Sequence, residues 1–596
     1  MTDNNFLIRI SWVEDRRLFA INFEFSSALV DAIRKIPGRR WDPDNKTWYI
    51  PITGSVGLLE HLLIPYKSVI VPESYQLAIE KIKFYRNTLI MSTSLTDKEI
   101  DKKSYIVPEG LEYFNFQKVA IEWLNQTNGN ALIADEMGCG KTIEVLGWIN
   151  QHPEIYPIII VCPASVKLNW QKEILKWTVN PGKIVIVNKN TKEYDGKFYI
   201  INYDILSNFV YVPKKEKDKK TGGWKNVDVP KKDRVPYNDL FLKIHAQILI
   251  LDESHYIKDK SAQRTKSALR LARMTPYKVA LTGTPFLNRP VELYTVANML
   301  APKVFDNWVK YITRYCGGKE GNWGWEYKGH SNEAELNQLL RSSIMLRRRK
   351  EDVVQDLPEK TRTFVPLECG ATSAYEILEK KIINELIYLE TVRKRKDYDE
   401  DIRDSQTSIL TSINQARQEI FELKKLQLMD FILDTLENNE NLVIFIYHHE
   451  AYRYITEELT KRKISVTGFT GEDNINKRQE SIDGFQAGNY RVFVTSTGAG
   501  SIGITLTQAS TLIFAELDWS LANVMQAEDR IHRIGQHNNV NIYYLIDYDS
   551  IEGYIASLLE EKLVTFKSVI DGDCVVKEED YFGNLVEWAR ERRSKR

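Results

Sequence analysis

Two sets of short, unbroken apolar runs constrain this chain more than any other feature. The first falls between about residues 110 and 315, at 131–134, 157–162, 198–201, 247–251 and 277–281. The second falls at 441–447, 464–469, 491–494, 511–515 and 540–546. Runs of this length, separated by helix-forming stretches, are the pattern of parallel strands buried on both faces of a sheet. The chain is therefore expected to be α/β, with one parallel-sheet lobe over 106–315 and a second over 429–560. At 596 residues it exceeds what one hydrophobic core holds.

Chemistry-bearing residues follow several of these runs. Asp135-Glu136-Met137-Gly138-Cys139-Gly140-Lys141-Thr142 joins the run 131–134 to a helix-forming segment. Gly138 and Gly140 allow backbone N–H groups to turn toward phosphate oxygens, Lys141 can reach the β- and γ-phosphates, and the Thr142 hydroxyl can ligate Mg²⁺. Asp135 stands where the usual phosphate-loop pattern has its first glycine, so these residues alone also fit a plain Gly-Lys-Thr turn. The run 248–251 ends in Asp252-Glu253-Ser254-His255. Asp252 is placed to hold Mg²⁺, and Glu253 to orient and deprotonate an attacking water. A third run leads into Thr282-Gly283-Thr284-Pro285. The combination predicts ATP and Mg²⁺ as ligands.

With these motifs in this order, the chain resembles the Swi/Snf-type ATPases of helicase superfamily two. Phe116-Gln117 is similar to the family's adenine-reading glutamine motif, and Ile160 to Ser165 with Asn169 and Trp170 to motif Ia. Thr495 to Leu506 resembles motif V, and Gln526-Ala527-Glu528-Asp529-Arg530-Ile531-His532-Arg533-Ile534-Gly535-Gln536 resembles motif VI. The resemblance implies two RecA-like lobes with helical insertions and a small α+β amino-terminal module. It implies an ATP site of Gln117, Asp135, Gly138, Cys139, Gly140, Lys141 and Thr142, with Thr142 and Asp252 on the metal. Glu253, Gln526, Arg530 and Arg533 are the expected catalytic set, the arginines acting as planar cations on the γ-phosphate when the lobes close. His255, Thr282, Thr284 and Gly503 are the expected coupling residues. Asn169, Trp170 and Thr497 are the expected DNA grip. Ser501, Thr505 and Ser520-Leu521 depart from the family pattern and bear on that grip.

Composition narrows the partners. Lys plus Arg and Asp plus Glu each number 81, so attraction to a polyanion must come from local patches. Five cysteines without a C-x-x-C pair argue against disulfides and structural zinc. Cys139 and Cys162 read as small fillers. No apolar stretch approaches the ~18 residues of a membrane span. The expected setting is intracellular, in cytoplasm, nucleoid or nucleus according to host, without membrane contact and as a monomer.

The remaining segments are read by composition. Residues 316–428 hold a basic run at Arg347-Arg348-Arg349-Lys350 and a long charged helical stretch; they resemble the family's linker and helical protrusions. Tyr375, Leu378, Ile382, Leu386 and Leu389 have the spacing of a packed helix face, and 393–396 that of a solvated one. The lysine-rich insertion 211–239 is expected to loop outward, touching phosphates or solvent alone. Residues 561–596 are read as a brace or tail, and 76–105 as a linker. Over residues 1–75, alternation at Ile8, Ile10 and Trp12 and at Phe19, Ile21, Phe23 and Phe25 predicts strands, covered by a helix carrying Leu29, Ala32 and Ile33. Gly38-Arg39-Arg40-Trp41 with Lys46 and Trp48 resembles the HARP-type accessory module of annealing helicases. Arg39, Arg40 and Lys46 are the candidates for DNA contact there, while Trp41 and Trp48 are expected in the core.

The function expected is an ATP-dependent DNA translocase acting on duplex or forked DNA, with annealing or fork remodelling as outcomes. A remodeler that displaces DNA-bound proteins and a nucleotide-gated clamp with little turnover are the alternatives.

Overall fold

The computed structural model describes residues 7–571 except 15, 96–99, 101, 189–190, 192–194, 208, 211–213, 218–223, 228–234, 237–240, 242–243, 287–288, 322–323, 328, 354–356, 368, 371, 394–399 and 501–502. Four antiparallel strands open the chain: β1 (Arg9–Val13), β2 (Leu18–Asn22), β3 (Arg40–Asp42) and β4 (Thr47–Pro51), ordered β1-β2-β4-β3. Helix α1 (Ser27–Arg34) is capped by the Ser26 hydroxyl and buries Leu29, Ala32 and Ile33 in a small core with Ile10, Phe19, Ile21 and Ile50. Phe25, expected on a strand, is instead 82% exposed, because β2 ends at Asn22 and the chain turns into α1. Trp41 is also outside the core, half-exposed against Trp48 with ring centroids 5.0 Å apart. Much of the stretch read as a linker is a 20-residue helix, α2 (Pro72–Met91). Its Ala78 and Ile82 complete the module's core, and Gln126 in lobe one donates to Thr88, so α2 is a docked strut rather than a tether.

Lobe one is a seven-stranded parallel sheet of β5 (Asn130–Ile133), β6 (Ile158–Cys162), β7 (Ile184–Ile186), β8 (Phe198–Asn202), β9 (Ile248–Asp252), β10 (Tyr277–Leu281) and β11 (Met345–Leu346). Its order is β11-β5-β10-β9-β6-β8-β7. Lobe two is a six-stranded parallel sheet of β12 (Lys360–Pro366), β13 (Leu442–Ile446), β14 (Val466–Phe469), β15 (Val492–Ser496), β16 (Thr511–Phe514) and β17 (Val540–Ile546), ordered β12-β17-β16-β13-β15-β14. Because each sheet is parallel, the loops after the carboxyl ends of its strands gather along one edge. These are two RecA-like lobes.

The stretch 316–428 is more than linker and protrusions, because it also gives each lobe an edge strand. β11 pairs with β5, and β12 with β17. Strand β11 is two residues long and β12 opens with four polar residues, Lys360 to Thr363, so neither shows as an apolar run. Between them and lobe two lie two long helices, Ser373–Arg393 and Glu400–Asn438. Tyr375, Ile382 and Ile383 pack with Ile413, Ala416 and Ile420, while the side chains of Leu386 and Leu389 and the run 393–396 lie outside what is described. Of the insertion 211–239, a hairpin of Lys214–Lys217 with Trp224–Val227 is described. The final helix, Ile551–Phe566, continues to Asp571, where Val569 and Ile570 carbonyls accept from Asn337 on the helix Glu333–Ser343 that precedes β11. No helix among the described residues is long and apolar enough to cross a membrane.

Candidate active site

The loop after β5 turns through Gly138 and Gly140, whose φ values of 89° and 87° lie in the left-handed region open to glycine. Gly140 then caps the helix Lys141–Gln151. A Cβ at Gly140 would stand 2.8 Å from the Gln117 side-chain nitrogen. Gln117 is buried, its Oε1 accepting from the Phe114 N–H at 3.0 Å while its Nε2 finds no partner. Lys141 Nζ folds back onto the Asp135 and Glu136 carbonyls at 2.9 and 3.2 Å. A buried amide donor without an acceptor, a glycine cradle and a lysine resting on loop carbonyls suit a nucleotide with phosphates. Thr142 sits in the first turn of the helix, partly exposed.

At the end of β9, Asp252 is held from two sides. Trp170 Nε1 donates to its Oδ2 at 2.8 Å and the Glu253 N–H to its Oδ1 at 3.0 Å. Burial, reinforced by the charge of Glu253, pushes the Asp252 carboxyl up to about 7. Glu253 has φ 49°, which swings its side chain toward β10. Its Oε2 accepts from Thr282 Oγ1 at 3.2 Å, and His255 Nδ1 stands 3.4 Å away. Burial raises the Glu253 carboxyl, with Lys141 and Arg530 pulling it back. Burial also pushes His255 down to about 4, so its ring is neutral and reaches Thr282 Oγ1 at 3.2 Å. The same hydroxyl contacts the Thr284 backbone, and the buried Thr284 Oγ1 has no partner. Among the described residues no cluster of three or more His, Cys, Asp or Glu could cage a metal. A single carboxylate beside a phosphate cradle is the setting Mg²⁺ commonly uses.

Lobe two closes over this edge. Arg530 is buried, with Nη1 on the Ile504 carbonyl at 3.1 Å, Nε on the Gln526 carbonyl at 2.9 Å and Nη2 3.7 Å from the sulfur of Met137 in the phosphate loop. Burial, then the Arg533 charge, lowers it to about 10, so it stays cationic at neutral pH. Arg533 Nη1 takes the Ile504 carbonyl and Thr505 Oγ1 at 3.2 and 2.8 Å, and its Cβ is 3.3 Å from where a Cβ on Gly138 would be. Gly503, with φ 72°, approaches Val166 so closely that a Cβ there would be 2.1 Å from Val166 Cγ1. Beside this contact a cavity of about 240 Å³ is lined from lobe one by Ser165, Asn169 and Lys172, and from lobe two by Arg478 and Thr505.

Several expected assignments change. Trp170, read as a DNA contact, is buried and serves Asp252. Thr497 is also buried, its hydroxyl donating to the Ile446 carbonyl at 3.1 Å. Asp135 does not face the phosphate cradle. Its Oδ1 accepts the Arg348 N–H at 2.8 Å and its Oδ2 accepts Arg348 Nε at 2.9 Å and Nη2. Arg348 Nη2 also meets Glu144 at 2.6 Å. Burial raises both acids; the charge of Arg348 brings Asp135 down overall, while the charge of Asp135 keeps Glu144 well up. The Cys139 N–H points back to the Glu136 carbonyl at 3.4 Å, and burial raises its thiol. Gln526 is buried beneath Arg530. Asn169, Arg39, Arg40 and Lys46 are exposed.

The basic run 347–350 carries the residues that sequence reading missed. Arg347 donates to the Ala134 and Gly283 carbonyls and pairs with Asp571; Arg348 locks Asp135; Lys350 crosses to lobe two. The signal was Asp135 itself, since a carboxylate at the end of a buried strand requires a cation.

A model of the SNF2-related domain matches residues 116–424, and one of the helicase conserved C-terminal domain matches 424–535. The chain is 30% identical to the Caenorhabditis elegans homolog of SWI/SNF-related matrix-associated actin-dependent regulator of chromatin subfamily A-like protein 1, over 91% of this chain and 73% of that one. It is 27% identical to the Bos taurus protein of that name, over 92% of this chain and 54% of that one. To the Homo sapiens DNA annealing helicase and endonuclease ZRANB3 it is 29% identical, over 82% and 43%. It thus spans about half the length of most curated relatives it matches. A Sulfolobus solfataricus SWI2/SNF2 ATPase core in complex with dsDNA aligns at TM-score 0.35 and 21% identity, over 79% of this chain and 95% of that one. With the SNF2-related model covering more than half of its residues and the helicase C-terminal model continuing without a gap, the chain belongs to the SNF2-related family.

Proposed function

We infer that the protein is an ATP-dependent DNA translocase whose two lobes hydrolyse ATP at their shared seam and move along duplex or forked DNA. The observation that carries this reading is the meeting of Glu253, held by Thr282 and His255 on lobe one, with Arg530 lying against Met137 from lobe two. Gln117 would read the adenine. Lys141 and the loop N–H groups would hold the β- and γ-phosphates, and Thr142 and Asp252 would hold Mg²⁺. The metal supplies charge neutralisation at the transferring phosphoryl group. Glu253 accepts the proton of the attacking water. Arg530 and Arg533 present fixed cations to the developing charge, and burial strengthens them because little water screens them.

Movement follows from the same seam. Thr282 contacts both Glu253 and Thr284, and Gly503 packs on Val166, so a change at the phosphates bears on the loops carrying Asn169, Lys172 and Arg478. The exposed Asn169 and Lys172 and the part-buried Arg478 are the candidates for gripping phosphates, in place of Trp170 and Thr497. The relatives' names include an annealing helicase, and we extend fork or annealing activity to this chain on a second feature. A cleft of about 1020 Å³ lies between the amino-terminal sheet and lobe one, with Arg16, Arg39 and Arg40 on one wall and Lys303, Lys310 and Arg314 on the other. Such a basic cleft suits a nucleic-acid backbone.

The test is steady-state ATP hydrolysis with no DNA, duplex, fork or single strand, paired with displacement of a third strand from a triplex. DNA-stimulated hydrolysis and ATP-dependent displacement are expected. Tight DNA binding without stimulated hydrolysis would make the protein a clamp, and hydrolysis without displacement would refute translocation.

A further inference from the structure

We propose that Lys350 is a positioning residue for hydrolysis, the link that holds the arginine-bearing turn of lobe two against the phosphate loop of lobe one. This rests on the ATPase reading above. Lys350 lies just where the chain passes from β11 in one sheet to β12 in the other. Its backbone N–H donates to Glu136 Oε2 in the phosphate loop at 2.8 Å. Its side chain then runs past Gly138, where an added Cβ would stand 3.3 Å from Lys350 Cε and equally 3.3 Å from Arg533 Cβ. Nζ ends on Asp529 Oδ1 and the His532 carbonyl, each at 2.7 Å.

These acceptors belong to the residues immediately before Arg530 and before Arg533. Apart from the 3.7 Å contact of Arg530 with the Met137 sulfur, the other polar contacts of the two arginines, on Ile504, Thr505 and Gln526, lie within lobe two and would travel with it. Lys350 is therefore the charged group that ties their aim to the phosphate loop. The pair with Asp529 is almost wholly shielded from water, with side chains 2% and 4% exposed, so its strength depends steeply on geometry. It forms with the lobes closed and is lost when they part. An interaction of that kind favours the closed, reacting state over nucleotide binding as such. Asp529 has a second cation, Lys360, at 3.8 Å, so removing the Lys350 ammonium does not leave its carboxylate without a counter-charge.

The test compares full-length wild type with Lys350→Met and Lys350→Arg. DNA-stimulated kcat is expected to fall about 10-fold to 100-fold in Lys350→Met. KM for ATP and affinity for a fluorescent ADP should stay within about threefold, while affinity for ADP–aluminium fluoride, which requires the closed arginines, falls with kcat. Lys350→Arg should recover part of the loss. A kcat within twofold of wild type, or an equal loss for ADP and ADP–aluminium fluoride, would overturn the proposal. Should Lys350→Met not fold, as judged by thermal unfolding, Asp529→Asn removes the link from the other side and must show the same split; wild-type kcat there would overturn it equally. A wild-type protein without DNA-stimulated hydrolysis would instead sink the ATPase reading itself.

Discussion

Glu253 adopts φ 49°, a left-handed conformation that costs a non-glycine residue about 1 kcal/mol or more. That strain aims its carboxylate at Thr282 and the seam, as a base for water requires. Glu253→Gln keeps the shape and removes the base, so nucleotide affinity should persist while DNA-stimulated turnover drops about 10²-fold to 10⁴-fold in a phosphate-release assay. Arg348 acts on stability. Replacing it with Met strands the Asp135 carboxylate in a site without water, and a loss of about 3–5 kcal/mol is expected from denaturant unfolding. Glu528 sets an acid limit. Burial alone would raise its pKa, but Lys360 and the forked hydrogen bonds of Arg362 overcome this and hold it at about 2. Since the folded value lies below the unfolded 4.5, its contribution is complete above pH 4.5 and drains away as pH falls toward 2. Roughly 3 kcal/mol is involved. Glu528→Gln should flatten the acid limb of a stability–pH profile between those values.

The elements that meet across the seam are short loops at strand ends, and their spacing is set by small residues. Gly503 is the clearest case, because Val166 occupies the space of a side chain and the φ of 72° disfavours one. Gly503→Ala should push the two loops apart and lower DNA-stimulated kcat by about 10²-fold, with nucleotide affinity kept. Adding Val166→Ala should restore part of that loss, a coupling measurable in a double-mutant cycle. Long buried strands such as β6 and β9 were readable as runs of Ile, Val and Leu, since both faces of a parallel sheet are covered. Edge strands β11 and β12 were not, because two residues carry no period and most of β12 is exposed on both faces, with polar residues over its first half. Helix α2 escaped as well: beside its buried positions, Ala78, Ile82, Tyr85 and Thr88, it exposes Leu77, Phe84 and Ile90, so no single apolar face marks it.

Across the whole molecule, equal numbers of cationic and anionic side chains leave no bulk attraction to DNA, so contact must be local. The cleft between the amino-terminal sheet and lobe one concentrates such a patch, with Arg40 exposed on its wall. Arg40→Glu should weaken fork binding several-fold and lower the slope of log affinity against log salt by about one, measured by fluorescence anisotropy. An unchanged slope would remove this cleft from the DNA path. By itself the sequence determined the two-lobed α/β architecture and the order of the nucleotide motifs, because buried parallel strands and phosphate-binding turns are written in contiguous residues. It could not determine which polar side chains face a ligand. Trp170, Thr497 and Asp135 look like contacts in their motifs, yet fold inward to Asp252, Ile446 and Arg348. Partners such as Arg348 with Asp135, or Lys350 with Asp529, are far apart in the chain, and only packing decides which buried charge finds which counter-charge.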